Sequence, residues 1–465
     1  EYNSRANDGA AAAPLTLEDI PPRDWLEHIF RRLPQGKAPG PDAISGDLLR
    51  RAPVELARLL HPVVAKSFIL GQEPAAYKHG KLAEIPKGIG NMLCNESCRS
   101  ILLANSLAKV HFNFLRGRVG EMIQTLLRDS QIGGRAGRSA TMGTHQIRTL
   151  LQHAKDTGQC CVVLFVDLKQ AFYRLIRSMA ATVPGGDEDT MHIMEDKEVH
   201  DSLRPLFELA VQAPGVLDQS SLSPNTIAMI QEAQRLPFFS VENTRRIAVP
   251  RKGSRPGVPL ADFLFSSVFR LPLEHIERDV RQKGLTTAIS KEAGFQRRLS
   301  KGDDDCDTED VTYADDVALA ALCTCTSLMD TIDTLVSIAY KRFMQYGMVV
   351  NFKPGKSGII AGIHGAGSQR IRTDYYASTV KSVDTGLGAV QVSKERSYKH
   401  LGGVVEADGA FGPEIRRRKV QYGVALRPLQ KGILAKDFVS ASTGAKYVDA
   451  LSNSKLLYQC ESWPQ

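Results

Sequence analysis

No apolar run in the 465-residue chain approaches the roughly 18 residues that a transmembrane helix needs, so none is expected. The N-terminal Glu1-Tyr-Asn-Ser-Arg5 lacks both a starting Met and a signal-peptide core, and reads as the start of a piece cut from a longer polypeptide. Eight cysteines in a chain of this size do not suggest a disulfide scaffold. Cys94 and Cys98, Cys160 and Cys161, and Cys323 and Cys325 come in pairs, yet no CxxC has a matching partner pair. This cysteine usage argues against a zinc site and fits a reducing compartment, and the eleven histidines show no metal spacing either. Internal repeats and long low-complexity tracts are also missing.

What is there is an ordinary globular composition, 43% hydrophobic and 24% charged, at a length that allows about three domains of roughly 150 residues. A net charge of +8 and a pI near 9.0 point to an anionic partner such as nucleic acid.

Along the chain, Asp24 to Leu33 has helical spacing, with Trp25, Ile29 and Leu33 on one face. A Pro/Gly loop, Lys37-Ala-Pro-Gly-Pro-Asp-Ala-Ile44, leads to a helix from Pro53 to Leu70 with Leu56, Leu59, Leu60, Val63 and Val64 as its expected core stripe. Lys81 to Pro86 reads as a strand and Ile101 to Leu127 as a long helical region. Gln131 to Arg138 is a glycine-rich loop whose amides and arginines suit phosphate, although a plain linker would look the same. Residues 183–235 contain Pro- and Gly-broken helices, 237–249 a hairpin, 283–310 a charged loop, and 328–346 a helix. Strands are expected at 349–351 and 357–361, and a basic helical region from Pro413 onward.

Two stretches carry the chemistry. Cys161-Val-Val-Leu-Phe-Val166 is a run of strand formers, apolar enough for a central strand covered on both faces, and it ends on Asp167. Val311-Thr-Tyr-Ala-Asp-Asp-Val317 reads as strand, turn and strand with two adjacent carboxylates at the bend. Alone, that bend is an exposed hairpin tip. Paired beside the first strand, it would bring Asp167, Asp315 and Asp316 to one sheet edge, where like charges are tolerated against cations. Mg²⁺ suits such a set, because it takes carboxylate and phosphate oxygens. Two ions about 4 Å apart can clamp the attacking and leaving oxygens of a phosphoryl displacement.

Taken in order, the motifs resemble a reverse transcriptase of the non-LTR retrotransposon (LINE-like) type, and are also similar to group II intron reverse transcriptases. Lys37 to Asp42 resembles the entry to the fingers. Ile85-Pro-Lys87, Cys98-Arg99 and Lys109 resemble the finger motif in which a Lys and an Arg hold the triphosphate. Gln131 to Ser139 resembles the Q-x-G segment. Val166 to Phe172 matches palm motif A, and Tyr313-Ala-Asp-Asp316 matches motif C. Arg255-Pro-Gly-Val-Pro-Leu260 stands for motif B, with Pro256 where the family has Gln and Val258 where Asp is usual. Tyr173 likewise replaces a usual Asp. Gly347 to Asn351 with Lys356 resembles motif D, and Tyr398 to Gly403 the primer grip.

The resemblance implies an α+β right-hand polymerase fold. After a lead-in at 1–36, fingers are expected at 37–160, a palm with an antiparallel sheet at 161–412 (insertions about 183–235 and 283–310), and a helical, truncated thumb at 413–465. It further implies an RNA-directed DNA polymerase using an RNA template, a DNA primer and dNTPs. Asp167, Asp315 and Asp316 would hold two Mg²⁺, or Mn²⁺. Lys87, Arg99, Phe172, Gly257 and Lys356 would contact the nucleotide, with Phe172 excluding a 2′-hydroxyl and Lys356 a candidate general acid for pyrophosphate. Arg135, Arg138, Arg255, Leu401, Gly402, Arg416, Arg417 and Arg418 would contact nucleic acid. A nuclear or cytoplasmic ribonucleoprotein location follows from the family. Two other readings stay open: an RNA-dependent RNA polymerase, and a non-catalytic nucleic-acid-binding relic. Neither an endonuclease nor an RNase H segment is recognisable.

Overall fold

The computed structural model describes residues 14–86, 98–182, 199–241, 246–255, 257–285, 288–289, 306–307, 310–436 and 438–463. Lys87, Pro256 and the acidic run at 303–305 lie outside them. The chain divides into two compact units that interleave along the sequence: Glu1–Arg128, Gln170–Leu273 and Phe343–Val349 form one, and Asp129–Lys169, Glu274–Arg342 and Val350–Gln465 the other. The α+β class expected from the sequence holds. Among the described residues, no helix is long and apolar enough to cross a membrane.

The first unit is mainly helical around a four-stranded sheet. Strands are numbered along the chain: β1 (His79–Pro86), β2 (Cys98–Ala104), β4 (Phe238–Val241) and β5 (Ile247–Ala248) lie in the order β2-β1-β4-β5. The expected helix from Ile101 to Leu127 is corrected at its start. Residues to Ala104 pair with β1, Leu102 opposite Leu82 and Ala104 opposite Gly80, and the helix runs Ser106–Leu126. An apolar run as short as Ile101-Leu-Leu103 fits strand or helix equally until a partner strand decides. The helix Pro53–Ile69 forms as expected but buries Ala57, Val64, Ser67 and Phe68, whereas Leu59 and Val63 are exposed.

A buried charge cluster holds this unit's interior. Arg255 donates to Glu73 at 2.7–3.2 Å and to the carbonyls of Tyr77 and Ala233. Lys78 bonds to Glu232 at 3.0 Å. The Arg255 guanidinium also lies 4.7 Å over the Phe112 ring. His111 is fully buried beside them, stacked on Phe68, with neither ring nitrogen hydrogen-bonded. Burial, reinforced by Arg255 and Lys78, pushes its pKa down to about 3.

The second unit is built on a six-stranded sheet, order β11-β12-β10-β3-β9-β8. Its strands are β3 (Cys160–Val166), β8 (Asp310–Tyr313), β9 (Asp316–Cys323), β10 (Gly358–Gly362), β11 (Val380–Asp384) and β12 (Ala389–Glu395). Every residue of β3 is buried, as its composition predicts, and it pairs antiparallel with both β9 and β10. Full burial of each Val, Leu or Phe there contributes about 1.5–3 kcal/mol. The helix Ala140–Thr157 covers one face through Ile147, Leu150, Leu151 and Ala154. Strands β6 (Ala288–Ile289) and β7 (Cys306–Asp307) form a small separate ribbon within the expected loop, and β13 (Ser397–His400) and β14 (Gly403–Glu406) a hairpin. The expected strand at 349–351 reduces to a single bridge between Leu168 and Val350.

Candidate active site

Strand register assembles the carboxylates. Val166 sits opposite Val317 in the β3–β9 ladder, so Asp167 leaves β3 beside Asp316, the first residue of β9. Tyr313 pairs with Asp316 across a two-residue turn, Ala314-Asp315, in which Ala314 takes φ +55°. That left-handed conformation is uncommon for a residue with a Cβ. Neighbouring backbone holds it. The Ile132 amide donates to the Thr312 carbonyl at 2.8 Å, the Thr312 amide to the Ser130 carbonyl at 2.9 Å, and a Cβ on Gly133 would come within 2.5 Å of the Ala314 nitrogen. The glycine-rich segment, which from sequence suited either phosphate or a plain linker, thus adds to the edge of β8 and braces the acidic turn.

Asp167 is held from the opposite side. Its Oδ2 accepts from Asn351 Nδ2 at 2.9 Å and its Oδ1 lies 3.3 Å from Lys356 Nζ. Its amide donates to Ser357 Oγ, and its carbonyl accepts from the Asn351 amide. Sequence reasoning found Lys356. Asn351 entered only as part of a motif, and Ser357 was not singled out.

The electrostatics follow from three acids and one cation. Burial pushes the Asp316 pKa up to about 6, Asp315 and Asp167 adding repulsion and Lys356 opposing it. Asp315 is shifted upward too, by burial and then by Asp167. Tyr398 stacks on Phe165 with ring centroids 4.2 Å apart and donates its hydroxyl to the Lys356 carbonyl at 2.5 Å. Burial, then Asp167 and Asp316, hold that phenol protonated. Among the described residues, no group of three or more His, Cys, Asp or Glu side chains closes a metal site by itself. Hard carboxylate oxygens whose mutual repulsion Lys356 offsets only in part are the donor type that a divalent cation takes, with water and substrate phosphates completing its shell.

The remaining candidates divide. Arg255 and Arg418, expected at nucleic acid, are buried, at 8% and 3% exposure, and their guanidiniums bond within the protein. Arg418 bonds Glu414, Gln421 and the Gly402 carbonyl, and packs over Tyr458. Arg417 also donates to Gly402, at 2.7 Å, whereas Arg416 is exposed. Arg135 is buried as well, and it and the exposed Arg138 each lie 3.6 Å from Asp129. Leu401 and Gly402 form the β13–β14 turn at φ +48° and +84°. The Leu401 carbonyl accepts from Tyr458 and Gln459, so this turn is fastened by its carbonyls.

In the first unit, Phe172 stacks on Phe265 at 4.4 Å and lines a cavity of about 630 Å³ with Gly257, Lys109 and Asn113. Gly257 has φ +119°, and a Cβ there would meet the Leu102 carbonyl oxygen at 2.4 Å, so only glycine fits. Tyr173, the departure from motif A, donates its hydroxyl to the Ser100 carbonyl at 2.6 Å. The Arg99 backbone lies in β2 opposite Ile85.

No family model matches the sequence. A Drosophila melanogaster protein described as a probable RNA-directed DNA polymerase from transposon BS is 29% identical over 173 residues, 35% of this chain and 17% of that protein. The Xenopus laevis transposon TX1 uncharacterized 149 kDa protein is 24% identical over 312 residues, 66% of this chain and 20% of that protein. The chain therefore spans about a fifth or less of the curated relatives it matches. Distant structural likenesses are to telomerase from Candida albicans in complex with an RNA fragment (TM-score 0.35, 14% identity, 88% of this chain and 59% of that one) and to apo telomerase from Candida tropicalis (TM-score 0.36, 14% identity, 71% and 55%). Both sequence matches are to transposon proteins, one of them described as a probable RNA-directed DNA polymerase, so the chain is similar to proteins of that kind, and its described residues form an α+β fold.

Proposed function

We propose that this chain is the RNA-directed DNA polymerase region of a non-LTR retroelement protein, extending a DNA primer on an RNA template from dNTPs. The observation that carries the reading is the arrival of Asp167 beside Asp315 and Asp316 through the β3–β9 register, with Lys356 on Asp167. In this reading the three aspartates hold two Mg²⁺ (Mn²⁺ is an alternative), which supply charge neutralisation and activation of the primer hydroxyl when bound. Asn351 and Ser357 orient Asp167. Lys356, within reach of the site, donates a proton to departing pyrophosphate, and Tyr398 fixes the backbone that carries it.

Phe172 limits the space beneath the sugar, and Lys87 and Arg99 neutralise the triphosphate. Gly257 lets the backbone approach the nucleotide. Arg138 and Arg416 meet the nucleic-acid backbone. Fingers, palm and thumb at 37–160, 161–412 and 413–465, and a nuclear or cytoplasmic ribonucleoprotein location, belong to the same reading.

Primer extension on an RNA template with Mg²⁺ tests it, comparing the wild type with Asp315→Asn/Asp316→Asn. Extension by the first and none by the second is expected. A folded wild-type chain that extends no primer would leave only the nucleic-acid-binding reading. Efficient ribonucleotide use by the wild type would favour the RNA-polymerase alternative.

A further inference from the structure

At the ends of β3 and β9 remote from the aspartates, thiols gather. Cys160 opens β3 and pairs in register with Cys323, which closes β9. Cys325 lies just beyond, and its sulfur is 3.5 Å from that of Cys160. Both thiols also point at one acceptor, the His364 carbonyl, at 3.7 and 3.1 Å. Cys160 is fully buried, Cys323 nearly so, and Cys325 partly exposed. A disulfide needs sulfurs about 2.05 Å apart, so the Cys160 and Cys325 sulfurs must close only a short gap.

We propose that Cys160 and Cys325 form a peroxide-driven, reversible disulfide that ties the start of β3 to the turn after β9. Solvent access selects Cys325 as the site of first attack. Its thiol displaces water from a hydroperoxide, giving a sulfenic acid: RSH + HOOH yields RSOH and H₂O. The Cys160 sulfur then attacks the Cys325 sulfur, the S–O bond breaks, and the oxygen leaves as water with the Cys160 proton. The pair is oxidised by two electrons, and the peroxide supplies the oxidising equivalent. Cys323 sits beside them as a hydrogen-bond acceptor from Cys160 and Thr331, which lowers its pKa. Burial and Cys160 raise that of Cys325, with Arg372 opposing. The thiol form of Cys325 therefore prevails at rest, and its attack on peroxide runs through the small thiolate fraction and is slow.

The test exposes the reduced, native full chain to hydrogen peroxide, alkylates the remaining thiols and maps the peptides by mass spectrometry. A Cys160–Cys325 linked peptide is expected, with the loss of two hydrogens and recovery by dithiothreitol. Cys325→Ser should abolish it, and Cys323→Ser should leave it intact. Because Cys325 is partly exposed, its serine variant keeps the fold, and a dimedone adduct on Cys325 in Cys160→Ala reports the first step separately. A Cys160–Cys323 linkage, or full alkylation of both thiols after peroxide has oxidised other cysteines, would overturn the proposal. Neither readout depends on polymerase activity.

Discussion

Gly133 lies so close to Ala314 that a methyl group on it would meet the Ala314 nitrogen at 2.5 Å. Backbone cannot yield as a flexible side chain does, so the acidic turn would have to shift. Gly133→Ala is expected to reduce primer extension at least about tenfold, a displacement worth about 1.4 kcal/mol at the transition state. Melting temperature should change little, since the β3–β9 ladder is untouched. Parallel loss of folding would show that Gly133 serves the core instead.

The aspartates should separate activity from stability. Asp316→Asn removes a group whose pKa is raised to about 6. The native state holds that proton more tightly than the unfolded chain, so stability falls as pH rises between about 4 and 6. At neutral pH the asparagine variant should be the more stable of the two, while extension drops by about a hundredfold or more. Denaturant melts and single-nucleotide incorporation assays measure the two effects.

Glu73 is expected to be among the most damaging single sites. Glu73→Ala leaves Arg255 buried without its carboxylate, at a cost of about 3–5 kcal/mol. Arg255→Met in that background should recover part of the loss, because an apolar side chain over Phe112 has no charge to compensate. Urea unfolding of both variants checks this, and additive losses would contradict it.

His111 predicts an acid limb in stability. Its folded pKa of about 3 lies below the ordinary 6.5 of histidine, so only the unfolded chain gains this proton between those values. Its contribution is fully present above about 6.5 and is lost as pH falls, with a slope of at most about 1.4 kcal/mol per pH unit. His111→Phe, which keeps the stack on Phe68, should flatten that limb in melts recorded from pH 7 to pH 4.

The chemistry was more legible in the sequence than the scaffolding around it. β3 announced itself because seven consecutive apolar residues admit little besides a central strand, and the Asp-Asp bend was marked by its flanking β-formers. β11 and β12 were missed, because Val380 to Asp384, at the sheet edge, and Ala389 to Glu395, next to it, alternate only weakly between apolar and polar residues. The surroundings of the arginines were hidden for another reason. Composition reports charge but not its partner, and Arg255, Arg135 and Arg418 had acidic neighbours in space. The stripe on Pro53–Ile69 was displaced because several apolar faces compete when Leu and Val are dense.

The fastening of Gly402 by Arg417 and Arg418 changes how the basic run should behave in salt. Two of its four cations are committed to carbonyl and carboxylate oxygens and release no counterions when a polyanion arrives. Arg416 and Lys419 remain exposed. The ionic-strength dependence contributed by this helix should therefore reflect about two phosphates, a slope near −1.8 on logarithmic axes for a B-form duplex, and not the four that a count of its charges suggests.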